Sequence, residues 1–133
     1  MSTYESRTLA IAIERPPDDV YAFAMELENL PKWAAGLGST GHRDGDAWVS
    51  DTNQGSVRVQ FVTHNQLGVL DHHVTLADGT VLYSPMRVIA NGSGSHVSFT
   101  LYRLAGVTAE AFAADAGLIE ADLKTLKMLM ESS

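Results

Sequence analysis

The stretch from about Thr108 to Glu131 constrains this chain more than any other. Phe112, Ala116, Ile119, Leu123, Leu126 and Met130 step by four and three residues, so a long helix here is apolar along one face from end to end. Thr108 suits its N-cap, Glu110 and Asp115 lie toward its positive end, and Lys124 and Lys127 toward its negative end. A one-sided helix of this length must be covered by a partner layer. The segments before it are short and Gly-punctuated, which suits an antiparallel sheet curved around the helix. The space between such a sheet and helix can hold a small apolar molecule.

Gly117 interrupts the helix and costs about 1 kcal/mol relative to Ala. Close packing against the sheet is the expected reason for it, and an opening for a ligand is the alternative.

The chain opens with the period-two pattern of a strand, Thr8 to Glu14, with Leu9, Ile11 and Ile13 on one face. Pro16-Pro17 stops it. Asp18 and Asp19 suit the first turn of a following helix, whose inward stripe is Val20, Phe23, Ala24 and Leu27. Leu30-Pro31-Lys32-Trp33-Ala34-Ala35 predicts one more helical turn that presents Trp33. Turn chemistry then recurs at Asp44-Gly45, Asn53-Gln54-Gly55, Asn65-Gln66-Leu67-Gly68, Asp78-Gly79 and Asn91-Gly92-Ser93-Gly94. Six short strands fit between these turns, near residues 40–43, 46–52, 56–63, 69–76, 80–90 and 95–104. Connections this short pair strands antiparallel, because a parallel crossover needs a longer link.

A length of 133 residues predicts one domain spanning 1–133. The formal net charge of −7 argues against nucleic acid and anionic membrane surfaces, which attract clustered Lys and Arg. Without cysteine the chain has no disulfide framework, no Cys-ligated zinc and no thiol nucleophile. No apolar run reaches membrane-spanning length, and Met-Ser-Thr-Tyr-Glu-Ser lacks the apolar stretch of a signal peptide, so the expectation is a cytoplasmic protein without membrane insertion.

Three parts of the sequence carry a family likeness: Ile11-Ala12-Ile13-Glu14-Arg15-Pro16-Pro17-Asp18-Asp19-Val20-Tyr21, then Leu30-Pro31-Lys32-Trp33, then Phe99-Thr100-Leu101-Tyr102-Arg103 before the last helix. Asp71-His72-His73-Val74 and Pro85-Met86-Arg87-Val88 add to it. On these residues the whole chain resembles the START-like helix-grip superfamily, also called SRPBCC, and within it the polyketide cyclase/dehydrase-like group. The resemblance implies an α+β fold in which a curved seven-stranded antiparallel sheet grips the C-terminal helix. It also implies a cavity for lipids, polyketides or other hydrophobic compounds. Some relatives catalyse cyclisation or dehydration and many only bind, and no catalytic residue is common to the superfamily.

Gly36-Leu37-Gly38-Ser39-Thr40-Gly41 satisfies G-x-G-x-x-G, but it follows a helical turn and precedes a strand, whereas a dinucleotide site needs those glycines between a strand and a helix. A loop at the cavity mouth is the reading that fits. Asp71-His72-His73 is the most chemically suggestive cluster, because imidazole titrates near neutrality and a carboxylate can orient it. Adjacent strand residues face opposite ways, so only one His points inward. Apolar alternation through Leu70, Val74 and Leu76 puts His72 on the core face. A two-residue turn at Asp78-Gly79 instead pairs His73 with Ser84 and Asp71 with Met86. If Val88 pairs with Val97 and Met86 with Phe99, that places His73 and Asp71 on the buried side. A bulge near Pro85 reconciles the two patterns. His73 is favoured, because it then shares a face with Asp71.

The expected cavity lining is Trp33, Tyr83, Met86, Phe99, Phe112, Ile119 and Leu123, with Trp33 at the entrance. Arg87 and Arg103 read as outward, salt-bridging strand residues. His42, His64 and His96 show no metal-ligand spacing, so no metal and no cofactor are expected. The function expected first is binding of a small hydrophobic, polyketide-like or aromatic metabolite. The alternatives are a cyclase or dehydratase that uses the inward His with Asp71, and an interaction module or homodimer. Its docking face would hold whichever set lies outside, Leu70, Val74 and Tyr83 or else Val69 and Leu82.

Overall fold

In a computed structural model, which describes residues 2–35, 40–53 and 55–132, the chain begins with strand β1, Glu5–Ile13. Helix α1, Pro17–Met25, follows with Pro17 in its first turn and Asp18 and Asp19 beside its N-terminus. A 3-10 turn at Leu27–Asn29 leads into the single-turn helix α2, Leu30–Trp33. Seven strands come next: β2 Gly41–Asp44, β3 Ala47–Thr52, β4 Gly55–Phe61, β5 His72–Thr75, β6 Val81–Ser84, β7 Met86–Asn91 and β8 Gly94–Arg103. Helix α3, Ala109–Glu131, closes the chain, with the Thr108 side chain accepting a hydrogen bond from the Ala111 N–H.

The strands form two antiparallel sheets, β1-β8-β7 and β2-β3-β4-β5-β6, where the sequence predicts one sheet of seven. The division falls inside the expected strand 80–90, at Pro85. Proline has no N–H to donate, so the ladder breaks there. Ser84 then belongs to the larger sheet and Met86 to the smaller. Across the division, Val69 bridges Arg87, and N–H groups of Leu70 and Val88 donate to Met86 and Gly68 carbonyls. The expected strand 69–76 is accordingly shorter, because its first residues turn from β5 toward β7.

Helix α3 packs on β1, β8 and α2. Its C-terminal half is locked to the end of β1: Lys127 Nζ donates to the Ala12 carbonyl at 2.8 Å, Glu131 accepts from the Glu14 N–H at 2.9 Å, and Arg15 donates to the Met130 carbonyl at 2.7 Å. Leu123, Leu126 and Met130 are buried there in one core with Leu9, Ile13 and Val97. Gly117 does not serve close packing. It is exposed, and an added Cβ would meet nothing within 4 Å.

Candidate functional site

The floor of the site is one face of the five-stranded sheet, assembled by register. Ser50 pairs with Val57, Trp48 with Val59 and Thr52 with Gly55; Val59 pairs with Val74 and Phe61 with His72; Val74 pairs with Leu82 and His72 with Ser84. Alternation then puts Val57, Val59, His72, Val74, Leu82 and Ser84 on the same side. Over them stand Leu30, Trp33 and Ala34 from α2 and its end, Asp115, Ile119 and Asp122 from α3, and Phe99 from β8. Together with Thr52, Asn53 and Leu76 these residues line a half-open cavity of about 610 Å³. The cavity exists because α3 rests on the small sheet and on α2, and its N-terminal half spans the gap to the large sheet.

The β5–β6 connection decides which histidine enters. Leu76 N–H donates to the Thr80 carbonyl at 2.8 Å, so the loop has three residues, Ala77-Asp78-Gly79, with Gly79 at φ +92°. A positive φ at that position is what a three-residue hairpin loop requires of its glycine. The expected two-residue turn is therefore wrong by one residue, and one residue reverses every side chain. His73 pairs with Tyr83 and is exposed; His72 is the buried one, at 7% exposure. The expectation of an inward His73 is corrected to His72.

His72 is wedged between Phe61 and Phe99, with ring centroids at 5.1 and 5.6 Å. Its Nδ1 lies 2.9 Å from the Leu70 carbonyl, which can only accept, so Nδ1 carries the proton and Nε2 keeps its lone pair. Burial lowers the His72 pKa below its ordinary 6.5, against the raising effects of that carbonyl and of Asp71. The ring is neutral at pH 7.

Asp71 is not the partner of an inward histidine. Its carboxylate accepts from Arg87 Nε at 3.0 Å and Nη2 at 2.7 Å, from the Met86 N–H at 2.9 Å, and from the Tyr83 hydroxyl at 3.1 Å. Burial works to raise this carboxyl, but those four donors outweigh it and hold the pKa below its ordinary value. The cluster staples β6, β7 and the segment before β5 together at the Pro85 break. Arg87 is thus salt-bridged, as is Arg103, whose Nη1 lies 3.1 Å from Glu5.

Of the expected lining, Trp33, Phe99 and Ile119 border the cavity. Trp33 is buried rather than standing at an entrance, and its Nε1 has no partner among the described residues. Met86, Phe112 and Leu123 are buried but do not line the cavity. Tyr83 lies outside, 46% exposed, between His73 and Tyr102 with ring centroids at 5.3 and 6.4 Å. Neither expected docking set is exposed as a whole: Leu70 is fully buried, and Val74 and Leu82 face the cavity, leaving Tyr83 of the first set on the surface. Residues 36–39 of the Gly-rich loop lie outside the described residues; Gly41 opens β2 and packs under Trp48.

The principal residue missed from sequence is Asp122. It lines the cavity and accepts a hydrogen bond from the Ala35 N–H at 3.1 Å. Burial raises its pKa to about 6, against the lowering effect of that N–H. A signal was present: Asp115, Ile119 and Asp122 step by four and three, so both carboxylates flank the apolar seam. Among the described residues, no group of three or more His, Cys, Asp or Glu is placed to hold a metal ion, and no helix is long and apolar enough to cross a membrane.

The architecture is α+β, with antiparallel sheets packed around a long C-terminal helix and a single-turn helix closing one side of a cavity. Solved structures share it. The chain is similar to MLL2253 from Mesorhizobium loti, with a TM-score of 0.74 at 12% identity, covering 97% of this chain and 98% of that one. It is similar to XoxI from Bacillus cereus, with a TM-score of 0.71 at 16% identity and 94% of each chain covered. DynU16, a protein of the dynemicin biosynthetic locus, matches with a TM-score of 0.68 at 12% identity over 95% of this chain, which spans about half of DynU16, 47%. No protein-family model matches the chain, and no curated protein resembles it in sequence. At these identities the likeness defines the fold.

Proposed function

We propose that the protein binds a small hydrophobic metabolite in the cavity between its five-stranded sheet and helix α3. The observation that carries this reading is the cavity itself, about 610 Å³, whose walls are mainly apolar, with Val57, Val59, Val74, Leu82, Phe99 and Ile119 among them, and carry a minority of polar groups. That size and composition are those of small-molecule sites. A similar fold in a protein of the dynemicin biosynthetic locus is consistent with a polyketide-like or aromatic ligand. Native mass spectrometry of freshly purified protein, with release and identification of any bound mass, tests the reading. A stoichiometric small hydrophobe is expected, and Ile119→Trp, which fills the cavity from α3, abolishes its retention. Equal retention by Ile119→Trp refutes the cavity as the site.

A second reading, a cyclase or dehydratase, rests on His72. Its neutral ring directs an unprotonated Nε2 away from the Leu70 carbonyl, the state a general base requires. In this reading Nε2 takes a proton from carbon next to a substrate carbonyl while the apolar walls hold the chain folded. Asp71 has no part in it, being bound to Arg87. His72→Gln then abolishes turnover and leaves affinity within about threefold, whereas a carrier shows only the affinity change.

A further inference from the structure

The polar groups of the cavity are unbalanced in charge. Asp122 and Asp115 face it from α3, His72 and Ser84 from the floor, and Thr52 and Asn53 from one rim. No Lys or Arg is among its described lining residues. Nearby cations are already engaged elsewhere: Lys32 donates to Asn29 and Lys124 pairs with Glu120. A ligand carboxylate or phosphate entering this cavity would meet two carboxylates and no counter-charge.

Asp122 is the informative member. It is half-buried, and its carboxylate accepts a hydrogen bond from a neutral donor, the Ala35 N–H. A carboxylate removed from water and lacking a cationic partner is destabilised. Its raised pKa expresses that cost, yet at pH 7.5 it still carries its charge. An ammonium group placed against it relieves the cost, and Trp33 and Phe99 on the same walls are residues of the aromatic type that attracts cations.

We propose that the cavity's occupant is an apolar amine whose ammonium group lies against Asp122, with its hydrocarbon or aromatic body on Val59, Val74, Leu82 and Ile119. This rests on the reading of the cavity as a ligand site and narrows it, excluding fatty acids and phosphorylated lipids. His72 Nε2, an acceptor, adds a second partner for an N–H or a hydroxyl on the same ligand.

The test uses three probes of one chain length, decylamine, decanol and decanoate, titrated calorimetrically into the full chain at pH 7.5. Decylamine is expected to bind with one-to-one stoichiometry about tenfold or more tighter than decanol, and decanoate weakest. Asp122→Asn is expected to bring decylamine to the affinity of decanol while leaving decanol within twofold. Asp46→Asn, which removes one surface charge elsewhere, leaves all three unchanged and so controls for attraction to the net charge of −7. Decanol binding equal to decylamine, or a decylamine preference that survives Asp122→Asn, overturns the amine inference while the cavity reading stands. Failure of all three probes to bind overturns the cavity reading and the inference with it.

Discussion

Replacing Asp122 by Asn should stabilise the protein above neutral pH and do nothing below pH 4. The Asn Oδ1 retains the hydrogen bond from the Ala35 N–H, so the substitution removes a charge and little else. In the folded chain the carboxyl titrates at about 6 against an ordinary value of 3.8. The unfolded chain therefore releases this proton first, and the contribution of Asp122 to stability is full below 3.8 and lost as pH rises through about 6. At 1.36 kcal/mol per pKa unit that gap is about 3 kcal/mol. Solvent screening of a group only half-buried brings the expected gain to about 1 to 2 kcal/mol. The charged and titratable groups that face the same cavity are Asp115, exposed and two helical turns away, and His72, neutral across the floor. Urea denaturation of the two proteins at pH 4, 6 and 8 measures the difference. Coincident midpoints at pH 4 and a midpoint favouring Asn at pH 8 are expected. A difference of the same size at every pH would falsify the reasoning, because it would mean that shape or hydrogen bonding, not ionisation, separates the two.

Gly117→Ala should stabilise α3 by about 1 kcal/mol, since the site is exposed with open space around it; a loss in the urea midpoint refutes that placement. Gly68→Ala should cost about 2 to 3 kcal/mol, because Gly68 holds φ +71° and an added Cβ would run into the Val88 carbonyl that faces it across the sheet division. A neutral result in thermal denaturation would show that the 68–70 segment is not held against β7. Asp71→Ala should cost about 2 kcal/mol at pH 7 by leaving the buried Met86 N–H unpaired and Arg87 unanchored. Because this carboxyl is held below its ordinary value, its contribution is present above 3.8 and lost at more acid pH, so the two proteins should converge as pH falls below 3.8.

Much of the architecture was legible along the chain. The seam Phe112-Ala116-Ile119-Leu123-Leu126-Met130 placed α3, the Thr108 cap placed its start, and the alternation of Leu9, Ile11 and Ile13 placed β1. Each of these signals is local, a period or a cap contained within a few turns of chain. The register of β7 on β8 that the reading took as its condition, Met86 against Phe99 and Val88 against Val97, is the one the structure adopts, through a two-residue Gly92-Ser93 connection. The β5–β6 pairing failed because Asp78-Gly79 is compatible with loops of two or three residues, and the choice is made by the hydrogen bond between Leu76 and Thr80. One residue of loop length moved His73 out and His72 in.

The amino-acid sequence by itself determined most of the elements, their order, the antiparallel pairing and the long helix that any sheet here must cover, because propensity, periodicity and turn chemistry act between near neighbours. Only the tertiary structure decided that Pro85 divides the strands into two sheets, that Asp71 is consumed by Arg87, Tyr83 and the Met86 N–H, and that His72 and Asp122 face one cavity. Those outcomes depend on where α3 comes to rest. It seats its C-terminal half on β1 and β8 and carries Asp115, Ile119 and Asp122 over the large sheet, leaving a gap that no local pattern in the sequence encodes.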